Sequence, residues 1–160
     1  MYGRDRDNQT GFIAPRVRPN GVLVQVQKLA HGNTEAYLER ERQKDETFKS
    51  RFFTKRQIVE KKRGVLDTMF DFQVDLETSR SALRAYFRYA VVTWNSGNFY
   101  TIVSSNSLNS LRDFVTSMVK PAIPPEFCHE QVPQILVNDK KNPIPSDWAW
   151  RPPQSIGSET

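Results

Sequence analysis

Leu83–Ser107 reads LRAYFRYAVVTWNSGNFYTIVSSNS, and within it lies the clearest hairpin of the chain. Leu83 to Trp94 is read as one strand whose later residues, Tyr89, Ala90, Val91 and Val92, are apolar on both sides, as expected of a strand covered on two faces. Asn95-Ser96-Gly97-Asn98 supplies turn chemistry, because glycine reaches the positive φ of a tight reversal at no steric cost. Phe99 to Ser104 then returns antiparallel. Beyond it the period changes: Leu108, Leu111, Val115 and Met118 fall on one helical face with Phe114 adjoining. Asn106 or Ser107 is the expected cap of this helix, and Pro121 its end.

Upstream, Leu66 to Leu76 alternates well, with Leu66, Thr68, Phe70, Phe72, Val74 and Leu76 facing one way and Asp67, Asp71, Gln73 and Asp75 the other. Period two over that length predicts a strand with one face in the core and one in water. Phe52 to Val59 is a shorter strand candidate. Val22 to Lys28 (VLVQVQK) places Val22, Val24 and Val26 on one face of a further strand. After the His31-Gly32-Asn33 turn, Thr34 is the expected N-cap of a helix running to about Thr47, with Glu35 and Glu39 near its positive end. Only Ala36, Tyr37 and Leu38 give that helix apolar surface, so it should lie shallowly on the body. The order of strand, helix, antiparallel strands, helix and tail predicts an α+β sandwich, an antiparallel sheet covered by helices.

The chain has 160 residues, about one domain's worth. Residues 1–20, with Pro15 and Pro19, read as an extended N-terminal arm, 21–120 as the α+β domain, and 121–160 as a docking tail. Eight of the ten prolines fall in that last part, and Pro-dense chain neither continues a helix nor enters a sheet interior. Trp148 and Trp150 in such a tail are expected to lie against their own domain or a partner. No apolar run reaches the roughly 18 residues of a spanning helix, so the protein is not expected to be membrane-spanning itself. Met1–Phe12 carries neither an apolar core nor an acid-free Arg/Ser stretch, and is read as neither secretory signal nor transit peptide. Whether Met1 is an initiator or lies within a longer precursor stays open.

The formal net charge of +5 is concentrated. Between Glu39 and Arg63 stand ten basic and five acidic residues, which accounts for the whole excess. Such a strip attracts an acidic protein surface, an anionic headgroup or nucleic acid, whereas its plain reading is a solvated helix face laced with ion pairs. Phe48, Phe52 and Phe53 fall inside it. Cations interleaved with aromatics suit single-stranded nucleic acid, but burial of these rings on a strand is the simpler expectation. Arg51, Lys55, Arg56, Lys61, Lys62 and Arg63, together with Trp148 and Trp150, are the expected partner-binding residues.

Catalytic chemistry finds little footing. Cys128 is the single cysteine, which excludes an internal disulfide and a cysteine-based zinc site. His31 and His129 are the only histidines. Asp67, Asp71 and Asp75 would span about 13 Å along a strand, too far to share one ion. Cys128 and His129 are chain neighbours, whereas a nucleophile–base pair normally meets through the fold. With no phosphate loop, nucleophile elbow or metalloprotease motif, no catalytic residue, metal, cofactor or small-molecule substrate is expected, and the chain is read as a non-enzyme.

MFDFQVDL, LRAYFRYAVVTWNSGNFYTIVSSNS and LNSLRDFVTSMV, spanning about 65–119, together resemble the C-terminal half of the PsbP family, extrinsic lumenal proteins of oxygenic photosystems. Val22 to Leu29 is similar to that family's V-x-V strand, and Gly11-Phe12 to its N-terminal G-F. The resemblance implies a PsbP/Mog1-like αβα sandwich and a non-catalytic extrinsic subunit of the chloroplast thylakoid lumen, peripheral to the membrane. It would dock on acidic surfaces of a large membrane complex, a photosystem, and stabilise or assemble it. The alternative is an RNA- or protein-binding subunit of an organellar ribosome or other large complex, with a cytosolic Mog1-like binder as a third reading.

Overall fold

A computed structural model describes residues 5–66, 73–118, 123–146 and 148. Among them are five α-helices and one four-stranded antiparallel sheet: α1 (Arg6–Ile13), β1 (Val22–Lys28), α2 (Thr34–Gln43), α3 (Lys55–Lys61), α4 (Leu76–Arg84), β2 (Tyr89–Ser96), β3 (Phe99–Ser105), α5 (Leu108–Ser117) and β4 (Gln134–Val137). The strand order is β1-β3-β2-β4. The hairpin thus forms the centre of the sheet, and Val103 stands level with Val24 on one side and Val91 on the other. The expected α+β class holds.

Helices cover both faces. On one, Ala90, Val92, Tyr100 and Ile102 pack with Leu83 and Phe87, joined by Leu29, Ala14 and Val17. On the other, Tyr89, Val91 and Val103 pack under Leu111 and Val115 of α5, with Ile144 and Trp148 closing the cluster. Ser107 caps α5 by accepting from the Ser110 backbone N–H. Gly97, first of the two loop residues of the hairpin, takes φ +58°, while among the described residues none other than glycine has positive φ. A single glycine therefore carries the reversal.

Four expectations change. Phe52–Val59 is not a strand: Thr54 and Gln57 form a capping box that starts α3, and two reciprocal bonds outweigh a β-branched, aromatic composition. Leu66 to Leu76 is no strand at its described ends. Leu66 closes a π-helical turn, and Asp75 caps α4 by accepting from the Thr78 N–H, so Leu76–Arg84 is helical and β2 begins only at Tyr89. The intervening residues 67–72, with Asp67 and Asp71, lie outside the described residues. The N-terminal stretch is not extended over Arg6–Ile13, where Asp5 caps a helix through the Asn8 N–H. Finally, the proline-rich end adds β4 along β2, an edge position where only one side of the strand needs hydrogen bonds.

β1 holds a further surprise. Val22, Val24 and Val26 do share a face, but α5 covers only the Val22 end; Val24 and Val26 are exposed, Val26 at 71%. The buried side of the strand carries Leu23 and Gln27, whose amide oxygen accepts from the Ser79 hydroxyl of α4.

Candidate functional site: a basic arm and an apolar pocket at its root

The strip from Glu39 to Arg63 divides in two. Its first part is internally neutralised: Arg42 pairs with Glu39 at 2.5 Å and Glu46 at 2.6 Å, and Lys49 pairs with Asp45 at 2.5 Å. Glu41 is the anchor. Its buried carboxylate lies 3.0 Å from Lys28 and 2.7 Å from Lys44, and it accepts a 2.9 Å bond from the Asn98 amide at the hairpin tip. Burial alone would raise the Glu41 carboxyl, but the two ammonium groups and the amide hold it below the ordinary carboxylate range. Burial pushes the Lys44 ammonium down, against the pull of Glu41. These bonds clamp α2 to the hairpin.

The second part is free of the body. From Arg51 to Gly64 every residue is exposed except Ile58, which is half-buried. Six cations stand there against one acid, Glu60, which pairs with Arg56 at 2.8 Å. Arg51 ends a 3-10 turn, Lys55 and Lys61 are the terminal residues of α3, and Lys62 and Arg63 continue it as a π-helical turn. Lys61 sits 5.6 Å over the Phe53 ring, and none of Arg51, Lys55, Lys61, Lys62 or Arg63 has an acidic partner among the described residues. Phe48, Phe52 and Phe53, expected to be buried, are exposed, Phe52 at 67%. The reason is that no strand forms here, so the rings have no sheet to pack on.

Where this arm meets the sheet there is a cavity of about 320 Å³. Phe48, Trp94, Phe99, Ile123, Pro124 and Phe127 supply most of its lining, which Ser96, Lys44, Arg51 and Glu126 complete. The walls are fixed by the hairpin tip. Asn95 Oδ1 accepts from the backbone N–H groups of His129 (3.0 Å) and Glu130 (3.2 Å), and the Gly97 N–H donates to Phe127 O at 2.9 Å. Gln43 Nε2 donates to Glu126 O at 2.7 Å, tying α2 to the same loop. Behind it, Tyr100 donates to Glu130 at 3.0 Å and accepts from Arg40 at 3.2 Å, and burial raises its phenol. Burial, then Arg40, lowers the His129 imidazole.

Of the other sequence-predicted residues, Trp148 packs half-buried against the core cluster under α5 instead of reaching outward. Trp150 lies outside the described residues. Cys128 is an exposed free thiol. Among the described residues no three His, Cys, Asp or Glu side chains gather to hold a metal ion, and no helix is long and apolar enough to cross a membrane. Sequence reasoning missed the pocket, whose walls come from three separated segments, and a second cleft lined by Arg84, Arg88, Asp139, Lys140 and Lys141.

No family model matches the sequence, and no curated protein is detectably similar to it.

Proposed function

We propose that the chain is a non-catalytic accessory subunit that docks on the acidic surface of a larger complex through residues 51–64. The observation that carries this reading is a helical segment exposed on nearly every side that still displays Phe52, Phe53 and Val59 to solvent. A seven-residue helix is too short to be stable on its own propensity, and in proteins packing against an apolar face normally supplies the difference. Here that packing is left for a partner. Unpaired cations next to exposed rings suit a surface that is acidic with apolar patches.

The hairpin and its flanking helix resemble the PsbP family, and on that resemblance the complex is a photosystem and the place the thylakoid lumen. The αβα layering agrees with such a sandwich. The exposed phenylalanines beside Lys61 favour a second reading, an RNA-binding subunit of an organellar ribosome, in which the rings stack on bases.

Co-fractionation separates the two. Association with a membrane complex that is released by high salt and indifferent to RNase fits the first; loss on RNase treatment, with a steep salt slope in RNA binding, fits the second. In either case Lys61→Glu/Lys62→Glu/Arg63→Glu should weaken docking at least tenfold. Unchanged affinity would make the arm mere solvated surface and end both.

A further inference from the structure

The cavity at the root of the arm and the bare half of the sheet beside it face the same way. Val26 stands level with Thr101, and Lys28 with Phe99, on the face that α5 leaves uncovered. Across β3, Trp94 stands level with Thr101 and Ser96 with Phe99. Among the described residues an apolar track therefore runs from exposed Val24 and Val26 past Phe99 to Trp94 and Phe48, ending in the pocket. Charge is arranged beside this track. Lys28 and Lys44 lie 5.9 and 5.2 Å from the Phe99 ring but are committed to Glu41, whereas Arg51 in the pocket lining has no acidic partner among the described residues. From Arg51 the cations continue through Lys55 to Arg63, and of these only Arg56 has an acidic partner among the described residues.

We infer that the partner presents an acidic peptide segment with one large apolar side chain, which enters the pocket between Phe48, Trp94 and Phe99 while its carboxylates lie along the arm. Four features favour such a segment over a polynucleotide. The pocket is walled mainly by apolar side chains, about 320 Å³ has room for one aromatic or branched side chain, its walls are pinned by hydrogen bonds before anything binds, and its two lining cations, Lys44 and Arg51, outnumber its one acid, Glu126. A nucleic acid would use the arm and leave the cavity empty. This inference rests on the docking role of the arm and adds the site that selects the partner.

The test uses the full chain and two short labelled peptides of Glu, Asp and Gly, one with a central Phe and one with Ala in its place, measured by fluorescence anisotropy. The Phe peptide should bind about tenfold more tightly, as expected for burying one aromatic ring. Ser96→Phe, which puts a ring into the lining of the pocket, should bring the two peptides to the same weak affinity. Phe48→Ser, at an exposed position and so harmless to folding, should do the same. Lys61→Glu/Lys62→Glu/Arg63→Glu should weaken both peptides alike and keep their ratio. Equal affinity for the two peptides in the unaltered chain, or a ratio that survives both pocket variants, overturns the pocket and leaves the arm standing. Failure of both peptides to bind defeats the arm and the pocket together. A single-stranded RNA of matching charge that binds more tightly than the Phe peptide, with unchanged affinity in Ser96→Phe, overturns the acidic segment in favour of nucleic acid.

Discussion

Replacing Glu41 by Gln should be among the most damaging single changes on this surface, although it alters one atom. The Lys28 and Glu41 side chains are 3% and 4% exposed and lie 3.0 Å apart, so the substitution leaves an ammonium group buried with no countercharge. Removing one partner of a buried pair costs about 3–5 kcal/mol, a large share of the roughly 5–15 kcal/mol that holds a domain together. With a urea slope of about 2 kcal/mol/M, the unfolding midpoint followed by far-UV circular dichroism should fall by roughly 2 M. Lys28→Met/Glu41→Leu should recover most of that loss. Asn98 keeps its bond to Tyr37 O, and Lys44, at the edge of the cluster, can turn its ammonium to water. A midpoint within about 0.3 M of the parent in Glu41→Gln, or a double variant worse than the single one, would refute a charge clamp between α2 and the hairpin. The pH dependence has a fixed sign. The folded carboxyl lies below its unfolded value, so its contribution is complete above the unfolded pKa and is lost as pH falls through the folded one. Glu41→Gln should flatten the acid limb of the stability curve.

Asp75 offers a milder case of the same linkage. The Thr78 backbone N–H holds its carboxyl low, so Asp75→Ala should cost about 1 kcal/mol at neutral pH, and the parent should lose this contribution in acid; Asp75→Asn should retain most of the cap without the pH dependence. Gly97→Ala should cost about 1 kcal/mol through backbone strain alone, because no atom lies within 4 Å of the added Cβ, and Gly97→Asn should cost less. By contrast, Lys61→Glu/Lys62→Glu/Arg63→Glu should leave the unfolding free energy from urea titration unchanged to within about 0.5 kcal/mol, and a larger shift would mean that the arm packs on the body.

The parts of the fold legible in the sequence are those fixed by neighbours along the chain. Tyr89–Val92, the NSGN turn and the return from Phe99 read as a hairpin because apolar pattern and glycine agree, and α5 shows through Leu108, Leu111 and Val115 for the same reason. Misreadings arose where two patterns compete. In Phe52–Val59 the composition says strand while the Thr54-to-Gln57 spacing says helix, and the cap prevails. In Leu76–Arg84 the buried Ser79, Ala82 and Leu83 already follow helical spacing, but two of the three are small and register weakly against the alternation before them. The cations were visible as charge, yet only the structure separates Arg42 and Lys49, which are paired, from Arg51 and Lys62, which have no acidic partner among the described residues. Asn95 and Asn98 looked like turn formers alone. Their second task, holding the 127–130 loop and α2 at the hairpin tip, depends on residues more than thirty positions away.

Because residues 51–64 bury almost nothing within the chain, nearly any substitution there is neutral for folding. Stability and recognition are therefore written in separate stretches of sequence. The arm can track a drifting docking surface over evolutionary time while the sheet beneath it remains under its own, unrelated selection.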